Sequence, residues 1–167
     1  MQRILRNVAR SLVQWRISDS IKVTIYYYIM ETILEEEQYI LIYRISYISL
    51  FSTLYATYNA HYNLALCPGS IFLTSIHYWK KPDYSYRRYL DMVVVKSAII
   101  YQYYMAYNAQ YAILHYSIFT LGILAYPVGI YYYNKKDYWK STYAHITLHL
   151  LANIASIILY SGYIQPV

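Results

Sequence analysis

Four side chains of this sequence could act on one reaction centre. In Tyr143-Ala144-His145-Ile146-Thr147-Leu148-His149 two histidines stand at i and i+4. On a helix they share one face, about 6 Å apart along the axis, close enough for two imidazoles to reach one metal ion. His77 closes the apolar stretch that ends in Thr74-Ser75-Ile76-His77, and Asp91 follows Arg87-Arg88-Tyr89-Leu90 at the start of the next. Three neutral imidazoles with an open fourth position form the catalytic zinc pattern. A carboxylate beside them could orient or deprotonate the metal-bound water, whose pKa zinc lowers to about 7. The expectation is therefore a zinc site with His77, His145 and His149 as ligands and Asp91 as the catalytic acid–base group.

Such a site needs elements that bring the four groups to one depth. The chain has 167 residues, 59% hydrophobic and 13% charged, with four Gly and four Pro, so one domain is expected and disordered, collagen-like and linker classes are excluded. The one cysteine, Cys67, excludes an internal disulfide and a cysteine zinc cluster. Tyrosine accounts for 27 residues, and because hydropathy scales treat Tyr as mildly polar, the mean hydropathy of +0.21 understates the affinity for lipid. Residues 45–79, 97–134 and 141–167 hold no Lys, Arg, Asp or Glu. Polar spots at Tyr58 to Asn63 and at Asn108-Ala109-Gln110 divide the first two stretches, which gives five expected spans: 39–58, 62–79, 90–107, 111–133 and 142–163. A soluble helix needs a charged outer face, and these segments have none.

Five alternating spans leave no basic residue on the far side, with Arg44 and Lys96 inside spans but within a turn or two of the basic side, to which they can snorkel. That side receives Lys80, Lys81, Arg87 and Arg88, then Lys135, Lys136 and Lys140, and the N-terminus with Arg3, Arg6, Arg10, Arg16 and Lys22. The uncharged turns and the tail from Ser161 fall on the other side. Positive residues mark the cytoplasmic face, so the N-terminus is expected inside and the C-terminus outside. His77, Asp91 and His145 then share the cytoplasmic depth, and ionisable groups within spans face the bundle interior by default. Polar stripes agree: His145, His149, Asn153 and Ser156 on the last span, Asp91 and Gln102 on the third, and Ser70, Thr74 and His77 on the second, with Ser75 on another face. His61 and His115 fall near the opposite side and need no functional role. The placement of the basic residues accounts for the net charge of +6 without nucleic acid.

Residues 1–38 differ in kind. Arg3, Arg6, Arg10 and Arg16 alternate with Leu5, Val8, Leu12 and Trp15 at helical spacing, and the first acid is Asp19. This is the profile of an amphipathic helix lying in the interface and also of a cleaved transit peptide. The expected architecture is all-α: an interfacial segment over 1–38 followed by a five-span membrane bundle over 39–167.

The arrangement His77, Asp91 and His145 with His149 resembles the superfamily of seven-span membrane hydrolases that includes alkaline ceramidases and the progestin/adiponectin receptors. The resemblance covers four positions between Ile71 and Asn153. It implies zinc held by the three histidines, Asp91 assisting the water, and hydrolysis of a lipid amide at the cytoplasmic face. The family's serine usually lies four residues before its histidine, where this chain has Leu73, so Thr74 or Ser70 would stand in; two spans are absent between the third and the last. The Tyr- and Ile-rich composition also resembles polytopic proteins of large DNA viruses. A zinc-dependent lipid hydrolase is thus one reading. The other is a non-catalytic accessory or structural subunit, of an organellar complex or a viral envelope, whose basic loops grip anionic lipid headgroups. A channel has only Gly122, Pro127 and Gly129 as a kink in its favour, and a single kink is usually a packing adjustment.

Overall fold

A computed structural model describes residues 32–165 of the chain; the expected interfacial helix of the first residues lies outside them. The described residues form α1 (Glu36–Ile45), α2 (Tyr47–Tyr58), α3 (Tyr62–Trp79), α4 (Tyr86–Ala106), α5 (Ala112–Asn134) and α6 (Tyr138–Ser161), with no strand among them. α1 and α2 meet at Ser46, whose hydroxyl donates to the Ile42 carbonyl at 2.9 Å, and run on as one rod, so five rods make up the bundle. Each rod begins where its sequence offers a start. The Glu35 amide donates to Gln38 Oε1 at 3.2 Å ahead of an acidic first turn, Ser85 caps α4 by accepting from the Arg87 amide, and Asp137 caps α6 by accepting from the Lys140 amide.

Three rods are long and apolar enough to cross a membrane: Glu36–Tyr58, Ala112–Asn134 and Tyr138–Ser161. α3, with 18 residues, spans about 27 Å but is diluted by Asn63, His77 and its aromatic ends. α4 carries Arg87, Arg88, Asp91 and Lys96 within its 21 residues. The distribution of side chains favours a lipid surround. Phe51, Leu66, Ile100 and Ile113 are exposed by 59, 72, 71 and 84%, whereas Gln38, Ser52, Asp91, Gln102, His149 and Asn153 are buried. Water would select the opposite arrangement; a bundle in hydrocarbon keeps its polar groups inside. These features fit an integral membrane protein.

The rods alternate in direction. The two charged loops share one end, where the Tyr84 and Tyr133 hydroxyls lie 3.4 Å apart. At the other end the α4–α5 turn meets the tail: the Gln110 amide donates to the Tyr163 carbonyl at 2.9 Å, and the His61 ring lies 6.4 Å from that of Tyr160. Gly122 and Gly129, two turns apart on α5, are the reason α5 and α6 approach so closely. A Cβ on Gly122 would lie 3.2 Å from Leu151 Cβ and 3.3 Å from the Ala152 nitrogen, and one on Gly129 3.5 Å from Ala144 Cβ. Small residues let helix backbones pack tightly where no hydrophobic force separates lipid from protein. The α5 glycines thus serve helix packing.

Candidate functional site

α4 lies along α3 and barely meets α5. Long side chains close the gap at the uncharged end: Gln102 Nε2 donates to the Tyr160 hydroxyl at 2.7 Å, and the Tyr103 and Thr120 hydroxyls lie 2.7 Å apart. Nearer the middle the gap stays open as a cavity of about 290 Å³, with an almost wholly apolar wall drawn from α2 to α6. Val95, Ile99, Ile123 and Leu148 supply that wall, Asp91, His145 and His149 supply polar groups toward the charged end, and Lys96 lines it further in. Ligand sites have this make-up: mostly apolar, with few polar groups that converge.

Asp91 is held from α3. Its Oδ1 accepts from the hydroxyls of both Thr74 and Ser75, each at 2.8 Å. Thr74, expected only as a stand-in for the serine of the resembled family, thus touches the carboxylate. Ser75 does so too and is more deeply buried than Thr74. Sequence reasoning set Ser75 aside because it paired Thr74 with His77 by helical spacing. The inward face of α3 is instead Ser75, Tyr78 and Trp79, all buried, with the Trp79 ring edge-on to His145 at 4.8 Å between centroids. A helix turns by about 100° per residue, so a residue midway between Ser75 and Trp79 points the other way. His77 accordingly is exposed, beside Tyr86 at 6.4 Å, and lines neither this cavity nor the one next to it.

His145 and His149 do come together, with ring centroids 5.0 Å apart. His149 is only 8% exposed, and neither imidazole has a hydrogen-bond partner among the described residues. The structure thus brings Asp91, His145 and His149 to one cavity, with Thr74 behind Asp91 as a hydrogen-bond donor, and leaves His77 outside. Among the described residues no three His, Cys, Asp or Glu side chains are placed to hold a metal ion. His77 stands apart from the pair, which has Asp91 and no third imidazole beside it.

Beyond His149 the same face of α6 is fully paired. Asn153 accepts from Ser52 at 2.7 Å and donates to the His149 carbonyl at 2.7 Å, and Ser156 donates to the Ala152 carbonyl at 2.8 Å. His115, fully buried, donates from Nδ1 to the Ala155 carbonyl at 2.9 Å and stacks on Phe119 at 5.0 Å; it ties α5 to α6. No protein-family model, curated protein or solved structure matches the chain.

Proposed function

We propose that the protein is a multi-pass membrane protein that binds a single lipid chain inside its helical bundle. Its N-terminus and charged loops lie on the cytoplasmic side, against anionic lipid, and its last residues lie outside. The observation that carries this reading is the cavity between α4, α5 and α6, apolar along its wall and furnished at one end with a carboxylate and two imidazoles that have no hydrogen-bond partner among the described residues. An apolar cavity in a membrane bundle has an abundant occupant at hand in the acyl chain. The test is the lipid that stays with the protein through purification in a maltoside detergent. Mass spectrometry should find about one single-tailed lipid per chain, and Ile123→Trp, which fills the cavity, should abolish it. Equal lipid content in the two proteins would refute the reading.

Hydrolysis of a lipid amide is the second reading, favoured by the position of Asp91, His145 and His149 where the polar group of such a lipid would rest. Metal content of the purified protein, beside a His149→Ala control, separates the two. Stoichiometric zinc lost in the variant together with fatty-acid release would make the protein a hydrolase; lipid binding without metal or turnover would make it a carrier or accessory subunit.

A further inference from the structure

The apolar cavity has a neighbour. A second cavity of about 310 Å³ adjoins it toward the charged end and shares Asp91, Met92, Tyr126 and His145 with it. Arg88, Asn134 and Ser141 line this outer chamber. The two consecutive arginines at its rim are used in different ways. Arg87 is closed: it pairs with Asp83 at 2.5 Å, donates to the Lys81 carbonyl at 2.8 Å and reaches the Ser85 hydroxyl from Nε at 3.2 Å. Arg88 lies over the Tyr84 ring at 4.9 Å, half-buried, and has no carboxylate within ion-pair distance among the described residues. A guanidinium fixed on an aromatic face keeps a planar fork of N–H donors free, and that fork matches the oxygens of a carboxylate or a phosphate.

We infer that the outer chamber seats the anionic head, carboxylate or phosphate, of a single-tailed lipid, with Arg88 as its ligand and the tail running past His145 into the apolar cavity. This rests on the reading that the inner cavity takes a lipid chain. Asp91 sets the depth. It stands three residues from Arg88 on the same face of α4, about 4.5 Å further along the axis. Its oxygens only accept when it is ionised, and Thr74 and Ser75 already serve one of them. An anion brought to that level would meet like charge, so the head stops at Arg88, short of Lys96, the cation that lines the inner cavity beyond Asp91.

Native mass spectrometry of the full chain from maltoside micelles tests this with three probes that share a tail: oleate, oleoyl lysophosphatidate and monoolein. At least one anionic probe should bind about tenfold more tightly than monoolein. Which of the two binds assigns carboxylate or phosphate. Arg88→Gln should remove the preference and leave monoolein binding unchanged, which also shows that the variant folds. Arg88→Lys should retain part of the preference, and Asp91→Asn should keep or strengthen anion binding. Equal binding of all three probes to the unaltered protein, or a preference that survives Arg88→Gln, overturns the inference and leaves the inner cavity's reading intact. Failure of every probe to bind overturns both.

Discussion

Two stretches of one face of α6 receive opposite treatment. From Asn153 to Tyr160 every polar side chain that points inward has a partner on a neighbouring helix or on its own backbone: Ser52, Gln102, and the carbonyls of His149 and Ala152. One turn earlier, the imidazoles of His145 and His149 have each other, Trp79 and a cavity, but no hydrogen bond among the described residues. Both stretches read the same in sequence, as polar groups at helical spacing in an apolar span. The difference teaches how to tell polar groups that hold a membrane bundle together from polar groups that wait for a ligand. On this face of α6 the first are saturated within the protein; the second face space.

Four changes break or sharpen this contrast. The largest effect should come from Ile123→Trp, which is expected to lower lipid occupancy by more than tenfold while helix content by circular dichroism stays the same. Asn153→Leu should come next. It removes bonds to α2 and leaves Ser52 unpaired, at a cost of about 1–2 kcal/mol in detergent unfolding titrations, as interhelical hydrogen bonds within membranes contribute. His149→Leu should cost under about 0.5 kcal/mol in the same titration, because it breaks no side-chain hydrogen bond, yet it should reduce lipid binding. A destabilisation equal to that of Asn153→Leu would erase the distinction drawn between the two stretches.

The smallest effect concerns the loop that carries Asp83. Burial works to raise its pKa, but the hydrogen bonds from Ser85 and the pairing with Arg87 outweigh burial and hold the carboxyl below the ordinary carboxylate value. A carboxyl depressed in the folded state stabilises it above the unfolded pKa of about 4 and loses that contribution as the pH falls through the folded value. The thermal midpoint should therefore fall as the pH drops below about 4, and Arg87→Gln should flatten that decline. An unchanged acid slope in the variant would show that the pair contributes nothing to holding the loop.

The sequence carried the architecture well and the site only in part. Charge-free stretches divided at Tyr58 to Asn63 and at Asn108 to Gln110 located five rods within a few residues of their ends, since a chain cannot place Lys or Glu against hydrocarbon without cost. The pairing of His145 with His149, and the depth they share with Asp91, were legible because i, i+4 spacing and the alternation of the spans suffice for them; the bond from Thr74 to Asp91 was not. The facing of α3 was not. Ser70, Thr74 and His77 form as good a polar stripe as any, and only the packing of Tyr78 and Trp79 against the bundle turns His77 outward. Bulky aromatic burial outweighed one histidine, a competition that spacing does not reveal. The close approach of α5 and α6 was hidden for a related reason: Gly122 and Gly129 read as kink residues until a partner helix lies against them.

The central claim is that a lipid tail occupies the space beside Asp91, His145 and His149. A single-tailed lipid carrying a diazirine near the end of its chain, photolysed in the purified protein and mapped by peptide mass spectrometry, tests it most directly. Adducts should fall on Val95, Ile99, Ile123 or Leu148, which line the cavity, and should vanish in Ile123→Trp, while adducts on the outward-facing Val93 and Ile100 persist in both proteins. Labelling confined to the outward-facing residues would contradict the account.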